Sequence, residues 1–173
     1  LSGLKGVTSM TGGMALTSNT NLMSTGGMNN LKSVGAANDG SSIEVINNPA
    51  LNSADISASS IAGGIVVQAN DNLQSASFNK ATQLGMDKNG RSLQIVQNPS
   101  MKSAPAMNNV QSMSGGIVIS QTAGIETPTG LESPRNIGPS VTGTSLEVTA
   151  NKNLKNLNGL GSLEGMPGSI DIN

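Results

Sequence analysis

Seven stretches of this chain align without gaps, and a repeat of that kind leaves few folds open. They begin at Met14, Ile43, Ile65, Leu93, Ile117, Leu146 and Ile170 and share the pattern apolar-x-apolar-x-x-Asn-x-x-apolar; the seventh stops at Asn173. Alternation with period two describes a short strand that buries its first and third residues and exposes the second. Each strand is too short to stand alone, so neighbouring copies must stack for the apolar positions to find a core.

The Asn position recurs at Asn19, Asn48, Asn70, Asn98 and Asn151, and Thr122 interrupts it. It falls where the chain turns inward. There a column of stacked amides can satisfy turn backbone groups that would otherwise be buried and unpaired. Pro49 and Pro99, directly after two of these Asn residues, fit a turn that ends the strand.

Steps between strand starts alternate between 28–29 and 22–24 residues. The flanks alternate in phase. Gly-Gly precedes Met14, Ile65 and Ile117, whereas Ser precedes Ile43, Leu93 and Leu146. The underlying period is therefore a two-coil unit of 51–53 residues. Between strands, apolar residues recur at about every third position, as in Leu154, Leu157, Leu160, Leu163 and Met166, in Met101, Ala104, Met107, Val110 and Met113, and in Leu1, Leu4, Val7 and Met10. Such spacing suits extended or 3₁₀-like arms that place each third side chain in a continuous core. Met at many inward positions reads as gap-filling core; the alternative, a Met-rich metal site, is opposed by the scatter of these residues over several coils.

Composition narrows the functional classes. The chain has no Cys, His, Trp or Tyr, one Phe, 11% charged residues and a net charge of -1. A zinc finger, a disulfide framework and Cys or His nucleophile chemistry are excluded. Without basic excess or aromatic platforms, no nucleic-acid partner is expected. No apolar run reaches the length of a membrane span. Low hydrophobicity would permit disorder, but the high charge that usually accompanies disorder is missing.

Stacking places equivalent outward residues in columns. The first reads Ala15, Glu44, Val66, Gln94, Val118, Glu147 and Asp171; the second reads Thr17, Ile46, Gln68, Val96, Ser120, Thr149 and Asn173. Ile46, Val66, Val96 and Val118 thus zigzag across an exposed sheet. They are either ordinary β-formers on a surface or a contact face for a partner or a neighbouring array. Glu147 and Asp171 should be neighbours, but with no third ligand they read as solvated surface charge, and Lys152 and Lys155 lie close in sequence to neutralise nearby carboxylates. No nucleophile elbow or phosphate loop is present, so neither catalysis nor a cofactor is expected. Ice binding would require regular Thr columns, which these mixed columns lack.

The segments "LKSVGAANDGSSIEVINNPALNSADI", "GGIVVQANDNLQS" and "RSLQIVQNPSMKSAPAMNNVQSMSGGIVIS" resemble the receptor L-domain family. Those are leucine-rich-repeat-like, right-handed β-solenoids of the insulin and epidermal growth factor receptor ectodomains, with relatives in GPI-anchored fungal cell-wall proteins. The resemblance covers nearly the whole chain. It implies an extracellular or cell-surface location and either a structural, adhesive role or a ligand-binding ectodomain. It supplies no catalytic residues. Receptor L domains are bracketed by disulfides and this chain has no Cys, which favours the structural relatives. Despite 21 Asn residues no Asn-x-Ser/Thr acceptor occurs, as suits a secreted chain whose close coils leave no room for N-glycans.

The expectation is thus one mainly β domain over residues 1–173. It is a right-handed solenoid with a parallel sheet of about seven strands, an Asn ladder and alternating long and short coils. Both ends fall inside a repeat, which suggests a segment of a longer chain. Partners are expected at the sheet face or the solenoid ends, as a second protein or by self-assembly.

Overall fold

A computed structural model describes residues 1–173 as a β-solenoid with no α-helix and two single-turn 3₁₀ segments, Ser2–Leu4 and Asn158–Leu160. Its main sheet stacks seven parallel strands in chain order: Met14–Thr17, Ser41–Ile46, Gly64–Gln68, Arg91–Val96, Gly116–Ser120, Thr144–Thr149 and Ser169–Ile172. The register aligns Met14, Ile43, Ile65, Leu93, Ile117, Leu146 and Ile170 in one inward column. These are the positions that the repeat aligns.

The arms carry more order than irregular connectors would. Six two-residue strands, Ser9–Met10, Ser33–Val34, Ser60–Ile61, Gln83–Leu84, Ser112–Met113 and Asn136–Ile137, form a second parallel sheet. Ser53–Asp55 pairs with Ser75–Ser77 on a third face, which isolated bridges at Ser24–Ser53 and Ser77–Ala106 extend. Each coil therefore visits three faces. The extra sheets follow from the stacking itself: once the main strands are in register, short extended pieces of neighbouring arms lie one strand spacing apart and pair.

The two classes of coil have a physical basis. A Ser-class strand holds one more residue than its Gly-Gly neighbour, seen as a register shift between Ser41 and Ile43, Arg91 and Leu93, and Thr144 and Leu146. The buried Ser42, Ser92 and Ser145 accept hydrogen bonds from the N–H groups of Gly63, Gly115 and Gly168 in the following coil, at 2.6, 2.8 and 2.9 Å. A Cβ at Gly63, Gly115 or Gly168 would run into the carbonyl oxygen of Gly40, Gly90 or Gly143. Serine in one coil and glycine in the next are two halves of one contact.

Between the faces lies a single core. Met101, Ala104, Met107, Val110 and Met113 are all at most 3% exposed, so the every-third spacing does line the interior. Phe78, the only aromatic residue, is fully buried among them. Leu154, Leu157, Leu163 and Met166, in the last arm, are only partly covered.

Candidate partner-binding face

Every strand of the main sheet that is followed by a turn leaves it through a residue in the left-handed region: Ser18, Asn47, Ala69, Gln97, Gln121 and Ala150, all with φ of 54–56°. For a residue with a Cβ this conformation costs about 1–2 kcal/mol. It is held because each of these N–H groups donates to a carbonyl of the next coil, in five cases the last of its strand, as Ala69 does to Val96 at 3.0 Å and Gln97 to Ser120 at 3.0 Å, and for Ala150 that of Asn173 just beyond it. The twist turns the next side chain inward, and that side chain is the repeated Asn.

Asn48, Asn70 and Asn98 are completely buried. The Asn70 amide donates to the carbonyl oxygens of Val45 at 2.8 Å and Gln68 at 2.9 Å and to Asn98 Oδ1 at 3.1 Å, while its own Oδ1 accepts the Asn48 N–H at 3.0 Å. Asn48 makes the same set one coil earlier, to Leu16, Ile46 and Asn70. Asn98 donates to Val67 and Val96. Thr122 substitutes with its hydroxyl, which donates to Asn151 Oδ1 at 2.7 Å. Asn19, in the first coil, is exposed and donates to Asn48 Oδ1. No buried side-chain polar atom in the molecule lacks a partner.

On the outward face the register sets Ala15, Glu44, Val66, Gln94, Val118, Glu147 and Asp171 side by side, and Thr17, Ile46, Gln68, Val96, Ser120 and Thr149 beside them. The four apolar residues do not form one exposed patch. Val66 and Val118 are only 7% and 5% exposed, yet belong to no part of the core. Each is flanked at one strand spacing by longer side chains, Glu44 and Gln94 around Val66 and Gln94 and Glu147 around Val118, whose apolar stems are long enough to cover the shorter valine. Ile46 and Val96, in the outer column, remain half-open.

A polar network crosses this face. The Arg91 guanidinium donates to Gln94 Oε1 at 3.2 Å and reaches Glu147 at 3.3 Å, bridging over the intervening strand Gly116–Ser120. Gln94 in turn donates to Asp87 Oδ2 at 2.9 Å. Arg91 was not singled out by sequence reasoning. Its signal is its pairing with Gly116, a residue with no side chain to block the crossing. Glu147 and Asp171 are neighbours in the register, but Arg91 neutralises Glu147, while Lys155 pairs with Glu126 at 2.8 Å. At the other end of the face, lost hydration and then the adjacent Asp39 carboxylate push the Glu44 carboxyl above its ordinary range. No three Asp or Glu side chains come together as a metal site would need, and no helix is long and apolar enough to cross a membrane.

No protein-family model, curated protein or solved structure matches this chain.

Proposed function

We propose that the chain is a non-catalytic structural or adhesive scaffold of the extracellular surface, belonging to a surface protein, cell-wall component or assembled fibre. The observation that carries this reading is where the polar side chains go. Asn48, Asn70, Asn98, Ser42, Ser92 and Ser145 all direct their hydrogen bonds into the coil stack. A chain built this way supplies a surface of fixed strand spacing, which is what a scaffold contributes. The resemblance of its repeats to receptor L domains supports the surface location and the role of support or adhesion. Contact with a protein partner, or with another copy, is assigned to the sheet face through the half-open Ile46 and Val96, with Val66 and Val118 stiffening the strands between them.

Location gives the test. An antibody against the chain should label intact source cells, and mild protease treatment of those cells should release it. Labelling that appears only after permeabilisation contradicts the proposal. For the contact face, a variant carrying Ile46→Lys and Val96→Lys should lose assembly or adhesion while melting as the unaltered chain does.

A further inference from the structure

One corner of the solenoid departs from the repeat. Where the third face turns into the second, an apolar pair brackets two polar residues in most coils, as in Met28-Asn29-Asn30-Leu31, Phe78-Asn79-Lys80-Ala81 and Met107-Asn108-Asn109-Val110. The coil between the first two of these is one residue short: Ile56-Ser57-Ala58. Its chain is drawn in, and the N–H groups of Ser59 and Ser60 both fall on the single carbonyl of Lys32, each at 3.0 Å.

Two consequences are visible. A cavity of about 400 Å³ opens over the recess, lined by Lys32, Lys80, Ser57, Ser59, Thr8 and the Asn29–Asn30 turn, and a second polar groove continues from it past Ser59 along Ser60 and Thr82. The backbone also loses a bond. At this position of the second face, the N–H groups of Lys32, Gln111 and Arg135 donate to the preceding coil at 2.7, 2.9 and 2.9 Å, whereas the Thr82 N–H, which faces the recessed coil, has no partner.

The charges agree with the geometry. No carboxylate lines the cavity. Neither Lys32 nor Lys80 takes part in an ion pair, as is also true of Lys5, Lys88, Lys102 and Lys152, but these two alone line one cavity together. Two ammonium groups and the Ser57 hydroxyl at the recess, with the unpaired Thr82 N–H in the adjoining groove, form a donor set with no acceptor of matching charge, while the Ser59 hydroxyl is taken up by the Lys32 carbonyl at 3.0 Å.

We propose that this recess, with the groove beside it, binds a tetrahedral oxyanion, a phosphate or sulfate group, with Lys32 and Lys80 supplying charge and the Ser57 hydroxyl and the Thr82 N–H of the adjoining groove supplying direction. Lysine ammonium groups serve phosphate and sulfate as compact charges, and unpaired N–H groups at a chain irregularity are common anion donors. The site depends on the missing residue, because a full-length corner would fill the recess and give Thr82 its partner.

The test titrates the chain with inorganic phosphate, inorganic sulfate and glucose 6-phosphate, followed by calorimetry and by the Thr82 amide resonance. Saturable binding that shifts this amide is expected. A variant with Lys32→Gln and Lys80→Gln should bind at least about tenfold more weakly. Lys88→Gln with Lys152→Gln, which alters exposed lysines elsewhere, should leave affinity unchanged. Inserting Asn between Ser57 and Ala58 should abolish binding while both lysines remain, with folding checked by a thermal melt. Tighter binding of the ester than of the free ions assigns the anion to an organic carrier, and equal or weaker binding assigns it to the free ion. Absence of saturation, full affinity in the Lys32/Lys80 variant, or equal loss in the two lysine variants overturns the site.

Discussion

The two polar corners of each coil solve the same problem with opposite degrees of commitment. At the Asn corner the backbone is forced into left-handed twists, and at Asn48, Asn70 and Asn98 a buried amide answers the carbonyls the twist exposes. At the Lys32–Lys80 corner the stack is held by scattered exposed bonds, such as Asn30 Nδ2 to Lys5 O at 2.8 Å and Ser133 Oγ to Asn108 O at 2.7 Å, and one coil is missing a residue outright. A buried corner loses a donor only at a cost, because water is not there to replace it. An exposed corner can, and the recess with the unpaired Thr82 N–H is found at the tolerant one. Architecture and candidate chemistry therefore sit on different edges of the same prism.

Mutation should separate the corners. The largest effect is expected from Asn70→Ala, which strands the buried carbonyl of Val45 and the N–H of Asn48; chemical denaturation should show a loss of about 3–5 kcal/mol. A loss below about 1 kcal/mol would mean that water reaches this corner and that the contrast is false. At the neighbouring Ala69, with φ of 54°, glycine relieves the left-handed strain but gains more freedom on unfolding. The two terms leave a net stabilisation of about 0.5 kcal/mol for Ala69→Gly. The same substitution tested at Ala150 should behave alike, since the twist is a property of the corner.

At the opposite corner, Asn30→Ala removes an exposed bond and should cost about 0.5 kcal/mol, near the floor for surface changes. The smallest effect belongs to the sheet face, at Glu44. Because the fold raises the Glu44 carboxyl above its ordinary range, the folded state favours the protonated form. The ionised group therefore weakens the fold at neutral pH, and the penalty fades as pH falls through the raised value. Glu44→Gln should raise the melting temperature slightly at pH 7, and the difference should vanish in acid. A difference that grows in acid contradicts the assigned direction.

The long elements were legible in the sequence because each carried two independent signals. Ile65-Val66-Val67, for example, shows strand alternation and is anchored downstream by Asn70, so its register against Leu93 and Asn98 follows without a structure. The second sheet had neither signal: Ser33-Val34 is two residues long, too short for any period to appear. Burial of Val66 and Val118 was also missed, since it depends on the stems of Glu44, Gln94 and Glu147, which approach only after the coils are stacked. Arg91 was hidden for the same reason, as its partner Glu147 lies two coils away. The recess was present in the spacing of Ile56 and Ile61, but its meaning required knowing that Thr82 would be left without a bond.

The coils stack in register at one strand spacing over the whole chain. With no native Cys, paired spin labels can be placed cleanly at Thr17→Cys and Thr149→Cys, five coils apart in the same outward column. Pulsed dipolar spectroscopy should give a narrow distribution near ~24 Å, allowing for the label arms, that shortens by about 5 Å when the second label moves to Ser120. A broad distribution, or one that does not shorten with that one-coil step, would contradict the solenoid and everything built upon it.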